Sequence, residues 1–199
     1  MIGNALIHFV KCYLGLEHPH TQTTKLEQAA IAKYSKDAQK CVEIGVYEGV
    51  NTVIIAEQLS SGGLLYAIDP FFKGKLGFCY HEKIAKNLLV KNKLSNNVNL
   101  IKKLSFDASE EIPDDIDFMF VDGDHSIEGI KKDWELYAIK IKPDGFIALH
   151  DTSIPAHDGS VSELGSYKYF NSHIKYDKRF SIVETVDSLN ILKKNNDNK

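Results

Sequence analysis

The chain has 199 residues, of which 43% are hydrophobic and 26% charged, and its formal net charge is -3. That length and apolar share suit one α/β domain with a full core, and the acidic balance gives no electrostatic reason to bind nucleic acid. Cys12, Cys41 and Cys79 have neither disulfide-framework nor zinc-finger spacing, so they read as reduced thiols of a cytoplasmic protein.

The N-terminal run, residues 2–10, is apolar but has no basic leader, no cleavage site and too little length to span a bilayer. It predicts a helix over 4–15 that packs on the domain or on a second subunit, which leaves a homo-oligomer open. A loop with His18, Pro19 and His20 follows; those histidines are expected at the surface, in reach of a crevice. Residues 24–34 read as a second helix. The unit expected is a single domain over 1–199, with 1–34 as its helical N-terminal extension.

From there apolar runs alternate with helical stretches. Strands are predicted at 41–45, 64–68, 98–101, 117–121 and 146–150, and helices near 51–60, 81–93, 126–140 and 161–175. Such alternation is the pattern of a parallel sheet covered on both faces. Lys142-Pro143-Asp144-Gly145 reads as a turn before the fifth strand. Only Asp187 separates the last two runs, 180–186 and 188–192, so they can pair only as antiparallel neighbours. The fold class expected is therefore α/β, a doubly wound, mostly parallel seven-stranded sheet with a C-terminal antiparallel hairpin.

Val42-Glu43-Ile44-Gly45-Val46-Tyr47-Glu48-Gly49-Val50-Asn51-Thr52 is the most informative stretch. It reads as a buried strand, a glycine turn and a helix start, which brings backbone N–H groups toward a ligand. Gly45 can take backbone angles closed to other residues, and Gly49 lets the helix start lie close. Glu43 is expected to accept hydrogen bonds from ribose hydroxyls. Asp69 lies 20 residues beyond Gly49, at the end of the next strand, where nucleotide-binding α/β domains keep their ribose partner. The dinucleotide pattern is G-x-G-x-x-G, and Tyr47 fills the place of the glycine that admits a pyrophosphate. This argues for a ligand without pyrophosphate. The bland alternative is a plain strand–helix turn with no ligand.

A second cluster, Asp122-Gly123-Asp124-His125, follows the apolar run 118–121, and His150-Asp151-Thr152 follows the next strand. Both should sit at the carboxyl edge of the sheet, where open α/β sheets bind ligands. Carboxylates gathered there repel one another, and a divalent cation such as magnesium would relieve that. Asp124 and His125 are the candidate general bases, an imidazole being the side chain whose unperturbed pKa lies closest to neutral pH. The bland role for His125 is to cap the helix beginning near Ser126.

Residues 120–133 resemble the D-G-D-H-[ST]-x-E-x-x-x-x-D signature of one subgroup of class I S-adenosylmethionine (SAM) methyltransferases, which includes sugar O-methyltransferases. The turn at Glu43–Gly49 resembles the [D/E]-x-G-x-x-x-G motif of the same class. The resemblance spans roughly 25–192. It implies a Rossmann-like methyltransferase fold with SAM as cofactor. Gly45, Tyr47 and Gly49 would form the turn under the methionine part, and Glu43 would help fix the cofactor there. Asp69 would hold the ribose, Ser105 or Phe106 would lie near adenine, and Asp122 would lie beside the transferred methyl. The metal ligands it implies are Asp122, His150 and Asp151, although metal-dependent relatives often pair the equivalent of Asp151 with a carboxylate or Asn, and His150 or Thr152 departs from that. The implied reaction is methylation of a hydroxyl on a small molecule or glycan unit.

Competing readings are a nucleotide- or NAD-dependent Rossmann-type enzyme and a non-catalytic scaffold on the SAM fold. A nucleic-acid methyltransferase is disfavoured because Asp122-Gly123-Asp124-His125 is not an Asn/Asp-Pro-Pro-Tyr/Phe turn. Phe71, Phe72, Phe78 and Tyr80 could line an acceptor pocket or pack on the adjacent helix. His157 and Asp158 lie in a glycine-containing loop placed to touch substrate. Trp134 reads as core, and Tyr167, Tyr169 and Phe170 as a candidate oligomer contact.

Overall fold

A computed structural model describes residues 2–74, 77–156 and 158–196. His157 lies outside the described residues. Seven strands form one sheet in the order β3-β2-β1-β4-β5-β7-β6. They are β1 (Lys40–Ile44), β2 (Leu64–Ile68), β3 (Val98–Ile101), β4 (Ile116–Val121), β5 (Ile141–Leu149), β6 (Phe180–Val186) and β7 (Leu189–Lys194). The first five are parallel, and β7 enters antiparallel between β5 and β6. The expected fold class is the one observed, down to the C-terminal hairpin.

The helices are α1 (Ile2–Leu14), α2 (Lys25–Tyr34), α3 (Val50–Gln58), α4 (Tyr80–Lys91), α5 (Ser105–Ala108), α6 (Ile127–Tyr137) and α7 (Gly165–Ser172). Two cores flank the sheet. Ile31, Ile55, Leu65 and Phe118 lie in one, while Met119, Trp134, Tyr137 and Ile147 lie in the other. Alternation along β4 explains the division, because Phe118 and Phe120 point to one face and Met119 and Val121 to the opposite one. Among the described residues no helix is long and apolar enough to cross a membrane.

Three local expectations need correction. Lys142–Gly145 is not a turn ahead of β5 but an irregularity within it: the β4–β5 register shifts between Ile116 and Phe118, and Asp144 takes φ of 63°. The helix expected over 161–175 is broken into a 3₁₀ segment, α7 and a second 3₁₀ segment. Its aromatics Tyr169 and Phe170 are buried within the chain, in the same core as Trp134, so they are not free for an oligomer contact. Trp134 is core as expected, and its Nε1 donates to Asp177 Oδ2 at 3.2 Å.

α2 begins with a capping box, in which Thr24 and Glu27 exchange hydrogen bonds. Glu27 also reaches across the fold, accepting from Ser188 N at 2.9 Å and Ser188 Oγ at 2.7 Å in the β6–β7 turn. α1 lies on α4, where Lys91 Nζ donates to the carbonyls of Cys12 (3.0 Å) and Tyr13 (2.9 Å) at its end. On the opposite side of the sheet, Ser105 Oγ donates to Asp133 Oδ1 at 2.5 Å and Tyr137 donates to the Ser105 carbonyl at 2.6 Å, fixing α5 to α6.

Burial pushes the Asp133 carboxyl up to about 6, with Ser105 opposing the shift and Asp124 adding to it. A raised folded-state value makes the charged form a penalty, complete above pH 6 and relieved as the pH falls toward the unfolded value. Asp133→Asn should therefore raise stability above pH 6 by on the order of 1–3 kcal/mol and flatten its pH dependence between 4 and 7. Urea unfolding of both proteins across that range checks it, and a variant less stable at pH 8 than at pH 4 relative to the parent contradicts it.

Candidate active site

The carboxyl ends of β1, β2 and β4 open into a cavity of about 660 Å³. Its wall includes Ile44–Tyr47, Asp69–Phe72, Leu104, Ser105 and Asp122–His125. Gly45 takes φ of 91°, and a Cβ there would fall 2.0 Å from the Asp122 carbonyl oxygen. Only glycine allows the two strand ends to approach this closely. Gly49 takes φ of 85° and would meet Ala85 of α4 at 3.0 Å, so it admits the close packing of α3 on α4. Tyr47, without glycine's freedom, still adopts a left-handed φ of 53° and sets its ring 4.6 Å from that of His81.

Asp69 supplies what holds Tyr47 there. Its Oδ2 accepts from Val46 N and Tyr47 N, both at 3.0 Å, and its Oδ1 accepts from Phe71 N at 2.7 Å. The carboxylate thus ties the β1 turn to the β2 end, and it keeps a lone-pair site for an incoming hydroxyl.

Glu43 departs from expectation. It is fully buried, does not line the cavity, and among the described residues neither carboxylate oxygen has a well-aligned hydrogen-bond partner. Burial raises its pKa well above the usual carboxylate range; Thr52 opposes this, and Asp122 and Asp69 add to it. Position on an interior strand outweighs the pull of an acidic side chain toward ligand, so direct contact with ribose is not what this geometry offers. Phe106 also departs: it is exposed, outside the cavity wall, under Lys132 Nζ at 5.0 Å. The turn of α5 that brings Ser105 to the wall carries the next residue around the helix, and Leu104 stands on the wall instead.

The second cluster converges as expected. His125 lies between two carboxylates, with Nε2 3.6 Å from Asp122 Oδ1 and Nδ1 3.7 Å from Asp151 Oδ2. Asp124 is exposed, and both its oxygens accept from Ser126, the N at 2.9 Å and the Oγ at 3.0 Å. The helix cap belongs to Ser126, whose Oγ accepts from Gly129 N at 3.0 Å, and not to His125. Asp151 takes φ of 53°, which turns the chain sharply after β5.

His150 is buried behind this pair. Its Nδ1 hydrogen-bonds Asp122 Oδ1 at 3.1 Å and lies 3.5 Å from Asp151 Oδ1, while its Nε2 is 3.4 Å from Glu27 Oε2. The last contact is an ion pair without hydrogen-bond alignment. Burial pulls the imidazole pKa down, but Asp122, Asp151 and Glu27 outweigh that and hold it at about 12. Glu27 falls correspondingly to about 2, against the opposing effect of burial, through His150, Thr24 and Ser188. Glu27 was not foreseen as a site residue, although Thr24-x-x-Glu27 is a capping-box signal.

Ligand atoms of Asp122, His150 and Asp151 all lie within 4.8 Å of one another, so this set can hold a cation once His150 gives up a ring proton. One nitrogen and two carboxylates suit manganese, iron or zinc better than magnesium. Beyond them is a second cavity of about 320 Å³, lined mainly by polar side chains that include Gln22, Thr24, Asp158 and Ser160 as well as His150 and Asp151. Of the aromatics after Asp69, Phe71 and Phe72 line the first cavity, whereas Phe78 packs edge-on against Tyr80 with ring centroids 5.0 Å apart. His18 and His20 are exposed, and His20 reaches the first cavity.

Known proteins share this architecture. An O-methyltransferase from Bacillus cereus solved with S-adenosylhomocysteine (SAH) superposes with a TM-score of 0.62 at 20% identity, covering 97% of this chain and 91% of that one. The O-methyltransferase TomG from Streptomyces achromogenes, solved with SAM, gives 0.66 at 15% identity over 96% and 90%. By sequence, the uncharacterized protein R132 of Acanthamoeba polyphaga mimivirus is 28% identical over 150 residues, 68% of this chain and 65% of its own length. The uncharacterized protein y4gI of Sinorhizobium fredii (strain NBRC 101917 / NGR234) is 25% identical over 128 residues, 62% of this chain but 14% of its own. The chain thus spans less than two thirds of either relative. Residues 42–152, more than half of the chain, match the family described as Methyltransferase domain. The chain belongs to that methyltransferase-domain family.

Proposed function

We propose that this protein is a SAM-dependent O-methyltransferase acting on a hydroxyl of a small molecule or sugar unit. The observation that carries this reading is a pair of cavities on either side of one cluster: Asp122 and His125 line the larger, His150 and Asp151 the smaller, and Gln22 lines both. The larger is walled by the glycine turn and Asp69, and the smaller is lined by polar side chains. A methyl donor and a hydrophilic acceptor could then meet across one short wall. The two relatives of this fold solved with SAM or SAH support the choice of cofactor. In this reading residues 1–199 work as one domain, with 1–34 as a helical extension that contributes Glu27.

SAM supplies a methyl group already activated by its sulfonium. The chain has then to align an oxygen for in-line attack and remove its proton. Gly45, Tyr47 and Gly49 shape the bed for the cofactor. Asp69 uses its remaining acceptor capacity for ribose, and Leu104 and Ser105 flank the adenine. His125 is the base: Asp122 and Asp151 orient its ring, whereas Asp124 is committed to Ser126. A cation held by Asp122, His150 and Asp151 would lower the acceptor hydroxyl's pKa.

Asp69→Ala should weaken SAH binding at least tenfold, since it removes both a ribose acceptor and the brace on Val46 and Tyr47. Calorimetric titration checks this, and unchanged affinity contradicts the assignment. His125→Gln should lower kcat by about 10²–10⁴ with little change in SAH affinity, and Asp124→Asn should cost far less. Transfer of labelled methyl from SAM to a panel of hydroxylated acceptors reads both, and the opposite ranking moves the base to Asp124. EDTA should lower turnover, with manganese restoring it better than magnesium. Turnover indifferent to EDTA removes the cation from the reading and leaves His125 as the sole activator.

A further inference from the structure

Where α1 meets the cofactor turn there is a second group of ligating side chains. His8 and Cys12 are four residues apart on α1, hence on one face of the helix. That face meets Glu48, the residue between Tyr47 and Gly49. Glu48 is 1% exposed and Cys12 6%, so a carboxylate and a thiol share one buried corner. His8 Nε2 is 3.0 Å from Glu48 Oε2 and 3.5 Å from Cys12 Sγ. His8 Nδ1 is 3.1 Å from Glu17 Oε1. The His20 ring stacks on that of His8 with centroids 3.8 Å apart, and its Nδ1 is 3.9 Å from Glu48 Oε1.

We propose that His8, Cys12 and Glu48 form a binding site for a zinc-class divalent cation, separate from the Asp122, His150 and Asp151 group. Their ligand atoms lie within 4.8 Å of one another. Tetrahedral zinc, with bonds of about 2.0 Å to nitrogen or oxygen and about 2.3 Å to sulfur, sets neighbouring ligands about 3.3–3.6 Å apart. The separations of 3.0 and 3.5 Å around His8 Nε2 are close to those values. Glu17, ion-paired to His8 Nδ1, is placed as the outer carboxylate that orients a ligating histidine. Lys11 Nζ, 3.4 Å from Glu17 Oε2, holds that carboxylate in turn. Nitrogen, thiolate and carboxylate together select zinc, cobalt or iron over magnesium and calcium. His20 is the nearby candidate for a fourth ligand. Through Glu48 the cation clamps α1 and the 15–20 segment to the turn that shapes the larger cavity. The site stands independently of the methyltransferase reading.

Cobalt is the probe, because a cysteine ligand gives a thiolate-to-cobalt charge-transfer band that an Asp–His–Asp set cannot. Metal-stripped full-length protein titrated with Co²⁺ should show that band, rising to one thiolate-bound cobalt per chain, and Zn²⁺ should displace it. Asp151→Asn should keep the band, whereas Cys12→Ser and His8→Gln should lose it and bind Zn²⁺ at least tenfold more weakly. Zinc should also raise the Tm of the parent but not of Cys12→Ser. Absence of a thiolate band in the parent, which needs no variant to be read, overturns the proposal. So does zinc affinity unchanged in a folded Cys12→Ser protein.

Discussion

The site depends on how closely two neighbouring strands end. Gly45 leaves β1 where the Asp122 carbonyl leaves β4, and a single Cβ at residue 45 would lie 2.0 Å from that oxygen. This contact puts the turn at 45–49 and the turn at 122–125 on one wall. The carboxylate of Asp69 then locks the arrangement by accepting three backbone N–H bonds from two strand ends. Tyr47 can hold a left-handed φ because its own N–H and that of Val46 are both held by Asp69. Backbone strain of this sort persists only where the surroundings over-determine it.

Charge is the second constraint. Asp122, Asp151 and Glu27 come together around one buried imidazole, and the cost of burying His150 is offset by all three. The same histidine connects separate parts of the chain. Glu27 lies on α2 and also grips Ser188 in the β6–β7 turn, so α2, sheet and C-terminal hairpin meet behind the cavity wall. A buried polar network of this kind fixes position because each member is costly to leave unpaired.

Much of this was legible in the sequence. Strand–helix alternation carried the parallel sheet, and the lone Asp187 between two apolar runs carried the antiparallel pairing of the last two strands, since no crossover fits in one residue; the order of the strands, with β7 between β5 and β6, came from the structure. Gly45, Gly49, Asp69, Asp122, His125, His150 and Asp151 were recoverable from type and spacing, because residues at strand ends must gather at one edge of a parallel sheet. What sequence could not give was side-chain direction. Glu43 and Phe106 were assigned to the ligand, yet alternation buries one and helical rotation exposes the other. Asp124 and His125 look equivalent in the chain, and only the Ser126 hydrogen bonds separate them. Glu27 and the contact of His8 and Cys12 with Glu48 arise from packing between elements distant in sequence, which no local pattern records.

In the proposed reading the glycine turn, Asp69 and the Asp122–His125 turn form a SAM site. Calorimetric titration of the purified protein with SAH, using NADH as a control, tests this. One SAH should bind per chain, and NADH should give no heat. Binding of NADH in its place, or of neither compound, would contradict it.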